Sequence, residues 1–231
     1  MSYMLHTVAL NDIEDLVRYC DHPAMQENPL NRTMFPNAGP ETEEEEMTWH
    51  ASSFRESFEK NPGAYFRKVC INDRTPVGFA LWTLDQPCPR IQIDREESEV
   101  KAVKIPRSLD IHAWREISQK LAAERRRVLK DLANVWSKPI YTVLYMIVAN
   151  TIYLGLNVLS VSPAHQRRGC GSMLLAWGCE QADRYGRTSF AMASPEAVNF
   201  YERFGYKTVG QVVTTRGTFR SMLRAPKSIG C

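Results

Sequence analysis

The stretch Val161-Ser162-Pro163-Ala164-His165-Gln166-Arg167-Arg168-Gly169-Cys170-Gly171-Ser172 constrains this chain more than any other. A β-rich apolar run ends there, a glycine-containing loop turns, and an apolar pattern of helical period begins. The pattern predicts a strand over 157–161, a loop over 166–171 and a helix over 172–185. Leu174, Leu175, Gly178, Ala182 and Tyr185 face inward on that helix, and Gly186 stops it. The first N–H groups of a helix have no partners within it, and the positive end of the helix dipole adds to them. Such an end suits phosphate oxygens. Gly169 and Gly171 let the backbone approach a ligand without a Cβ between, and Arg167 and Arg168 add positive charge. No Gly-Lys-Ser/Thr follows, and the spacing is not GxGxxG, so two common nucleotide loops are excluded. On its own, a loop with two glycines also suits an ordinary tight turn.

The rest of the chain narrows the context. Its 231 residues suit one domain with an insertion, and 44% hydrophobic with 24% charged residues describes a globular chain. A net charge of +3 is too small a surplus for a nucleic-acid binder. Six irregularly spaced cysteines without a CxxC pair, and an N-terminus without a basic region before an apolar run, predict reduced thiols and a cytoplasmic protein. The five histidines lack metal-ligand spacing, so no metal is expected, and no GxSxG elbow exists. Residues 139–166 carry no formal charge with His165 neutral, which raises a membrane span. Their Tyr, Val, Ile and Thr content, with Asn150, Gly155 and Asn157, reads instead as buried strand segments.

Upstream, 6–10 reads as an edge strand, and Asn11 as the cap of a helix reaching Cys20. Residues 21–40 read as an irregular loop with room for a short turn of helix, and Glu41–Glu46 as the solvated first turn of the next helix, where negative charge is favoured. Residues 65–71 and 76–84 form a predicted hairpin around 72–75. A surface excursion follows over 85–108. Residues 109–132 form an amphipathic helix with Ile111, Trp114, Leu121, Val128 and Leu132 on one face and Arg125-Arg126-Arg127 on the wet one. Downstream, 188–193 is a strand, Ser194-Pro195 starts a helix ending at Gly205, and 206–215 pairs with 218–223. Phe35, Trp49 and Trp82 read as core residues, with the lining of an acceptor pocket as the alternative.

At the glycine loop the sequence resembles the GNAT family of N-acetyltransferases, whose cofactor loop reads Gln/Arg-x-x-Gly-x-Gly/Ala. Gln166-Arg167-Arg168-Gly169-Cys170-Gly171 fits every fixed position, between Leu159-Ser160-Val161-x-Pro163 and Leu174-Leu175. A second stretch, Ala197-Val198-Asn199-Phe200-Tyr201-Glu202-Arg203-Phe204-Gly205-Tyr206, resembles the family's helix and turn. The likeness is specific over about 153–215 and looser over 5–84. It implies an α/β (α+β) GNAT fold: a twisted, mostly antiparallel mixed sheet with flanking helices and two splayed central strands. One domain over 1–231 is expected, with an insertion at about 85–150 holding the long helix.

The resemblance also implies an acetyl-CoA-dependent N-acetyltransferase acting on a primary amine by direct attack. Leu159, Ser160, Val161, Gln166, Arg167, Arg168, Gly169, Cys170, Gly171, Ser172 and Asn199 would bind the cofactor, with the Val161 N–H polarising the thioester carbonyl. Tyr201 would be the general acid. A small-molecule amine is the expected acceptor, in a monomer or homodimer without nucleic acid or membrane partners. A protein lysine or N-terminus, and a CoA-binding module without catalysis, are the alternatives. Two departures stand out: Ser194 replaces the family's frequent Asn, and Asn157 stands where many members have Glu or His, leaving the base unassigned. Cys170 reads as a space-filling loop residue whose pKa the helix start would lower, and His165 as facing solvent.

Overall fold

The computed structural model describes residues 2–26, 28–72, 75–85, 104–136, 153–215 and 217–227. Among them, seven strands form one sheet: β1 (Tyr3–Thr7), β2 (Ala64–Ile71), β3 (Thr75–Asp85), β4 (Tyr153–Val161), β5 (Thr188–Ala193), β6 (Lys207–Thr214) and β7 (Gly217–Arg224). Their order is β1-β2-β3-β4-β5-β7-β6. Only β4 and β5 run parallel; every other neighbouring pair is antiparallel. A parallel neighbour needs a crossover, and here helix α5 (Cys170–Arg184) supplies it.

The helices take the two faces of the sheet. On one face lie α1 (residues 10–25) and α3 (Glu43–Lys60), whose Ile13, Leu16, Val17, Met47 and Phe54 pack on Phe66, Phe79 and Leu81. Alternation along β3 sends Ala80 and Trp82 to the other face, where α5 lays Leu174, Leu175, Cys179 and Ala182. Gly178 is needed there: a Cβ would overlap the buried Trp82 indole. The short helix α2 (Pro29–Met34) is capped by the Asn28 side chain. The long helix α4 (Ile111–Trp136) starts where the Asp110 carboxylate accepts the His112 and Ala113 N–H groups at 2.9 and 3.0 Å. The short helix α6 (Val198–Glu202) precedes Gly205, whose φ of +87° turns the chain into β6.

Several expectations are corrected. The first strand lies at Tyr3–Thr7 rather than 6–10. The next helix starts at Leu10, because the Asp12 carboxylate reaches back to the Ala9 N–H at 2.7 Å, so Asn11 is not its cap. It passes Cys20 through a π turn, Val17–Asp21, and ends at Met25. Glu46 is buried rather than solvated, accepting from Thr42 Oγ1 at 2.8 Å and Ser108 Oγ at 2.5 Å. Central strand β4 begins at Tyr153, four residues before 157.

Tyr185 is 62% exposed rather than inward; α5 ends at Arg184, and Tyr185 is the residue that caps it, with non-helical backbone. The basic triplet is wet only in part. The Arg125 guanidinium lies 5.4 Å from the Tyr153 ring and donates to its hydroxyl at 3.0 Å, while Arg127 pairs with Glu124. His165 accepts or donates at Nδ1 to the Tyr3 hydroxyl, 3.1 Å away, instead of facing solvent alone. Phe35 and Trp82 are buried core residues as expected, whereas Trp49 is half-buried. Much of the expected insertion, residues 86–103 and 137–152, lies outside the described residues. No helix among those described is long and apolar enough to cross a membrane.

Candidate active site

The parallel pair β4–β5 holds only from Tyr153–Thr188 to Leu156–Ala191. Beyond that point β4 continues to pair with β3 up to Gly78–Val161, and β5 with β7 up to Ala193–Arg220, but not with each other. The two strands therefore part and leave a gap in mid-sheet. Ser162 N–H donates to Val77 on the β3 side at 2.8 Å. N–H groups alternate in direction along a strand, so the Val161 N–H points the other way, into the gap.

The gap opens onto the start of α5. The first intrahelical bond there runs from Met173 N–H to Gly169 C=O at 3.0 Å, which leaves the N–H groups of Cys170, Gly171 and Ser172 ahead of it. Gly169 has a φ of +89° and Arg167 a φ of +60°, the left-handed conformations that turn the loop back on itself. The Gln166 side chain ties the loop to β4 by donating to Val161 C=O at 3.1 Å. A Cβ on Gly171 would meet Phe200 Cζ at 3.6 Å and Val161 Cγ2 at 3.8 Å, both lining residues, so it would stand in the cleft.

That cleft has a volume of about 450 Å³. Seven of the expected residues come together in its lining: Leu159, Val161, Gln166, Arg167, Gly169, Gly171 and Ser172. Ser160, Arg168, Cys170, Asn199 and Tyr201 are not in it. Ser160 points to the opposite face, 1% exposed, and its hydroxyl donates to Asp21 Oδ1 at 2.7 Å. Cys170 is buried in the core, and burial pushes its thiol up, against the lowering expected of a helix start. Arg168 and Asn199 are exposed beside the cleft. Ser194 makes no side-chain cap on the turn that follows it.

Tyr201 is 6% exposed, between the rings of Phe200 and Tyr206 at 5.4 and 5.6 Å. Burial holds its phenol well above the usual tyrosine range, so it stays protonated. Asn157 shares its amide with Thr83, donating at 3.2 Å, and accepts from Arg125 at 3.5 Å. Among its described lining residues the cleft holds two guanidinium groups, Arg167 and Arg203, and no carboxylate or imidazole.

Sequence reasoning missed the cleft's far wall. Phe200 and Arg203 lie three apart in the second motif, a spacing that puts both on one helical face. Ala24, Met25 and Asn28 arrive only through tertiary packing, when the Asp21–Ser160 bond draws the end of α1 onto β4. Asp21 is 2% exposed, with His50 Nδ1 3.3 Å from its second oxygen.

The acetyltransferase (GNAT) domain family matches residues 131–208, a span that holds β4, the loop, α5, β5 and α6. Solved structures with this fold include arylalkylamine N-acetyltransferase 2 from Aedes aegypti, 12% identical with a TM-score of 0.62 over 98% of this chain and 100% of that one. The structure of histone acetyltransferase HPA2 and related acetyltransferase from Corynebacterium glutamicum is 15% identical, with a TM-score of 0.59 over 100% of both chains. The PaiA N-acetyltransferase from Thermoplasma acidophilum, solved in complex with coenzyme A, is 11% identical with a TM-score of 0.52, covering 97% and 99% of the two chains. At these identities the likeness establishes the fold.

Proposed function

From a chain with the GNAT fold, matched to the acetyltransferase domain family across its glycine loop, we propose an acetyl-CoA-dependent N-acetyltransferase that acetylates a small primary amine by direct attack. One observation carries the reading: the β4–β5 gap, with the Val161 N–H directed into it, opens onto the unpaired N–H groups at the start of α5.

The donor set fits coenzyme A. The Cys170, Gly171 and Ser172 N–H groups with Arg167 suit a pyrophosphate, and the gap between strands suits a narrow pantetheine arm. Bound there, acetyl-CoA supplies an activated acyl group. The Val161 N–H polarises the acyl carbonyl, the kind of contribution a fixed backbone donor makes where negative charge develops. Alignment of the two reactants in the cleft supplies a further large share. Tyr201, protonated because it is buried, is the proposed donor to the departing sulfur; the family resemblance of its motif supports that role, while Tyr201 itself lies outside the described lining.

The acceptor nitrogen must be neutral to attack. A cleft whose described lining has no carboxylate or imidazole and two arginines favours an amine that arrives already deprotonated. Its volume, shared with the end of the cofactor, supports a small acceptor over a protein lysine. The named acceptors of the similar structures, an arylalkylamine and a histone, do not carry over at their identities. The test is thiol release from acetyl-CoA across a panel of primary amines. Amine-dependent release supports the reading; tight acetyl-CoA binding without turnover for any amine marks a binding module instead.

A further inference from the structure

A second cavity, of about 260 Å³, lies at the other end of β4. Leu154 lines it, whereas Leu159 and Val161 line the cofactor cleft. Leu154 and Leu159 are five positions apart along the strand, roughly 16 Å at about 3.3 Å per residue. The walls are the last two turns of α5 and the face of β2 beneath them: Trp177, Gln181 and Tyr185 against Tyr65 and Arg67.

Arg67 is the unusual member. It is partly buried, and its guanidinium lies 4.2 Å over the Trp177 ring. Its one hydrogen bond is from Nη1 to the Phe66 carbonyl at 2.7 Å, and no carboxylate meets it among the described residues. A charge taken partly out of water wants a counter-charge. Burial accordingly pulls the Arg67 pKa down from the usual arginine range. The remaining N–H groups form a planar fork, the geometry that matches a carboxylate through two parallel bonds. Around it stand the Tyr65 and Tyr185 rings, 38% and 62% exposed, with Leu84 and Leu154 beneath. The negative end of the α5 dipole opposes an anion here, so the Arg67 fork must outweigh it; Arg187 stands in the same wall, 5.9 Å from the Tyr185 ring.

We propose that this cavity is a second ligand site, separate from the cofactor cleft, which takes a small aromatic carboxylate. The Arg67 fork holds the carboxylate, and the tyrosine and leucine walls cover the ring. The volume admits one ring and its acid group, not a nucleotide. Neither the glycine loop nor Tyr201 takes part, so the site stands whether or not the chain turns over acetyl-CoA.

The test uses the full chain and 4-fluorobenzoate, followed by fluorine NMR, with 4-fluorobenzyl alcohol as the neutral analogue. The expected result is saturable binding of the acid, at least tenfold tighter than the alcohol, and unaffected by saturating coenzyme A. Arg67→Gln should weaken it at least tenfold. Tyr185→Ala, at an exposed position that leaves the fold intact, should weaken it a few-fold. Absence of saturable binding, equal binding of the alcohol, an unchanged Arg67→Gln protein, or displacement by coenzyme A would each overturn the site.

Discussion

Replacing Gly171 by valine separates binding from folding. In the folded chain a Cβ at Gly171 finds only ordinary contacts, at 3.6 and 3.8 Å, and the residue needs no left-handed backbone. The valine methyls then stand in the cleft and keep phosphate oxygens away from the helix-start N–H groups. Loss of two such charge-assisted bonds, each worth about 1.5–3 kcal/mol, amounts to about 3–6 kcal/mol. At about 1.4 kcal/mol per decade this weakens acetyl-CoA binding about 10²- to 10⁴-fold. Gly169→Ala is the contrasting case. Its neighbourhood is open, but φ is +89°, so the cost is conformational, about 1–2 kcal/mol of stability. Calorimetric titration with acetyl-CoA and a thermal melt of each variant read the two effects. A folded Gly171→Val protein with unchanged affinity would refute the loop assignment.

Three further outcomes follow from the same geometry. Tyr201→Phe should leave the cofactor Kd within a few-fold and lower kcat by about 10²-fold or more, with a smaller loss for thioesters of more acidic thiols; wild-type kcat removes Tyr201 from the mechanism. If the amine loses its proton before entering, log kcat/KM should bend with pH at each amine's own pKa, and a bend fixed for all amines would reveal a base on the protein. Asp183 accepts from Arg224 at 2.7 and 2.8 Å, which with the Lys227 N–H holds its carboxyl below the usual range. A lowered folded pKa stabilises above the unfolded value of about 3.9 and is lost as pH falls through the folded one. Asp183→Asn should therefore cost about 3 kcal/mol at pH 7 and progressively less in acid, as urea midpoints at pH 7 and pH 3 would show; an equal loss at both sinks the assignment.

What the sequence disclosed was local. The glycine loop was legible because a helix start and two Cβ-free positions are properties of adjacent residues, and seven of the expected residues line the cleft. The strands 64–71 and 188–193 were legible from β-rich composition between turn residues. What it hid was set by packing. The first four residues of β4 sit inside an uncharged, mostly apolar run, where neither Asn150 nor Gly155 falls at the strand's start. Tyr185 keeps the helical period in sequence, yet the helix has ended at Arg184. Arg125 looks like a solvated charge, and only the fold brings Tyr153 under it. The far wall of the cleft depends on a bond between Asp21 and Ser160, 139 residues apart, which no spacing rule encodes.

The central claim is that the acetyl group passes straight from acetyl-CoA to an amine held in the β4–β5 gap. Mass spectrometry of quenched mixtures tests it directly. Incubated with acetyl-CoA alone, the intact protein should keep its mass, because Cys170 is buried and its thiol pushed up. With an amine added, the amine should gain one acetyl group while the protein mass again stays unchanged. An acetylated protein that forms before product and decays with it would contradict direct attack, and an amine left unmodified across the panel would contradict the acetyltransferase reading itself.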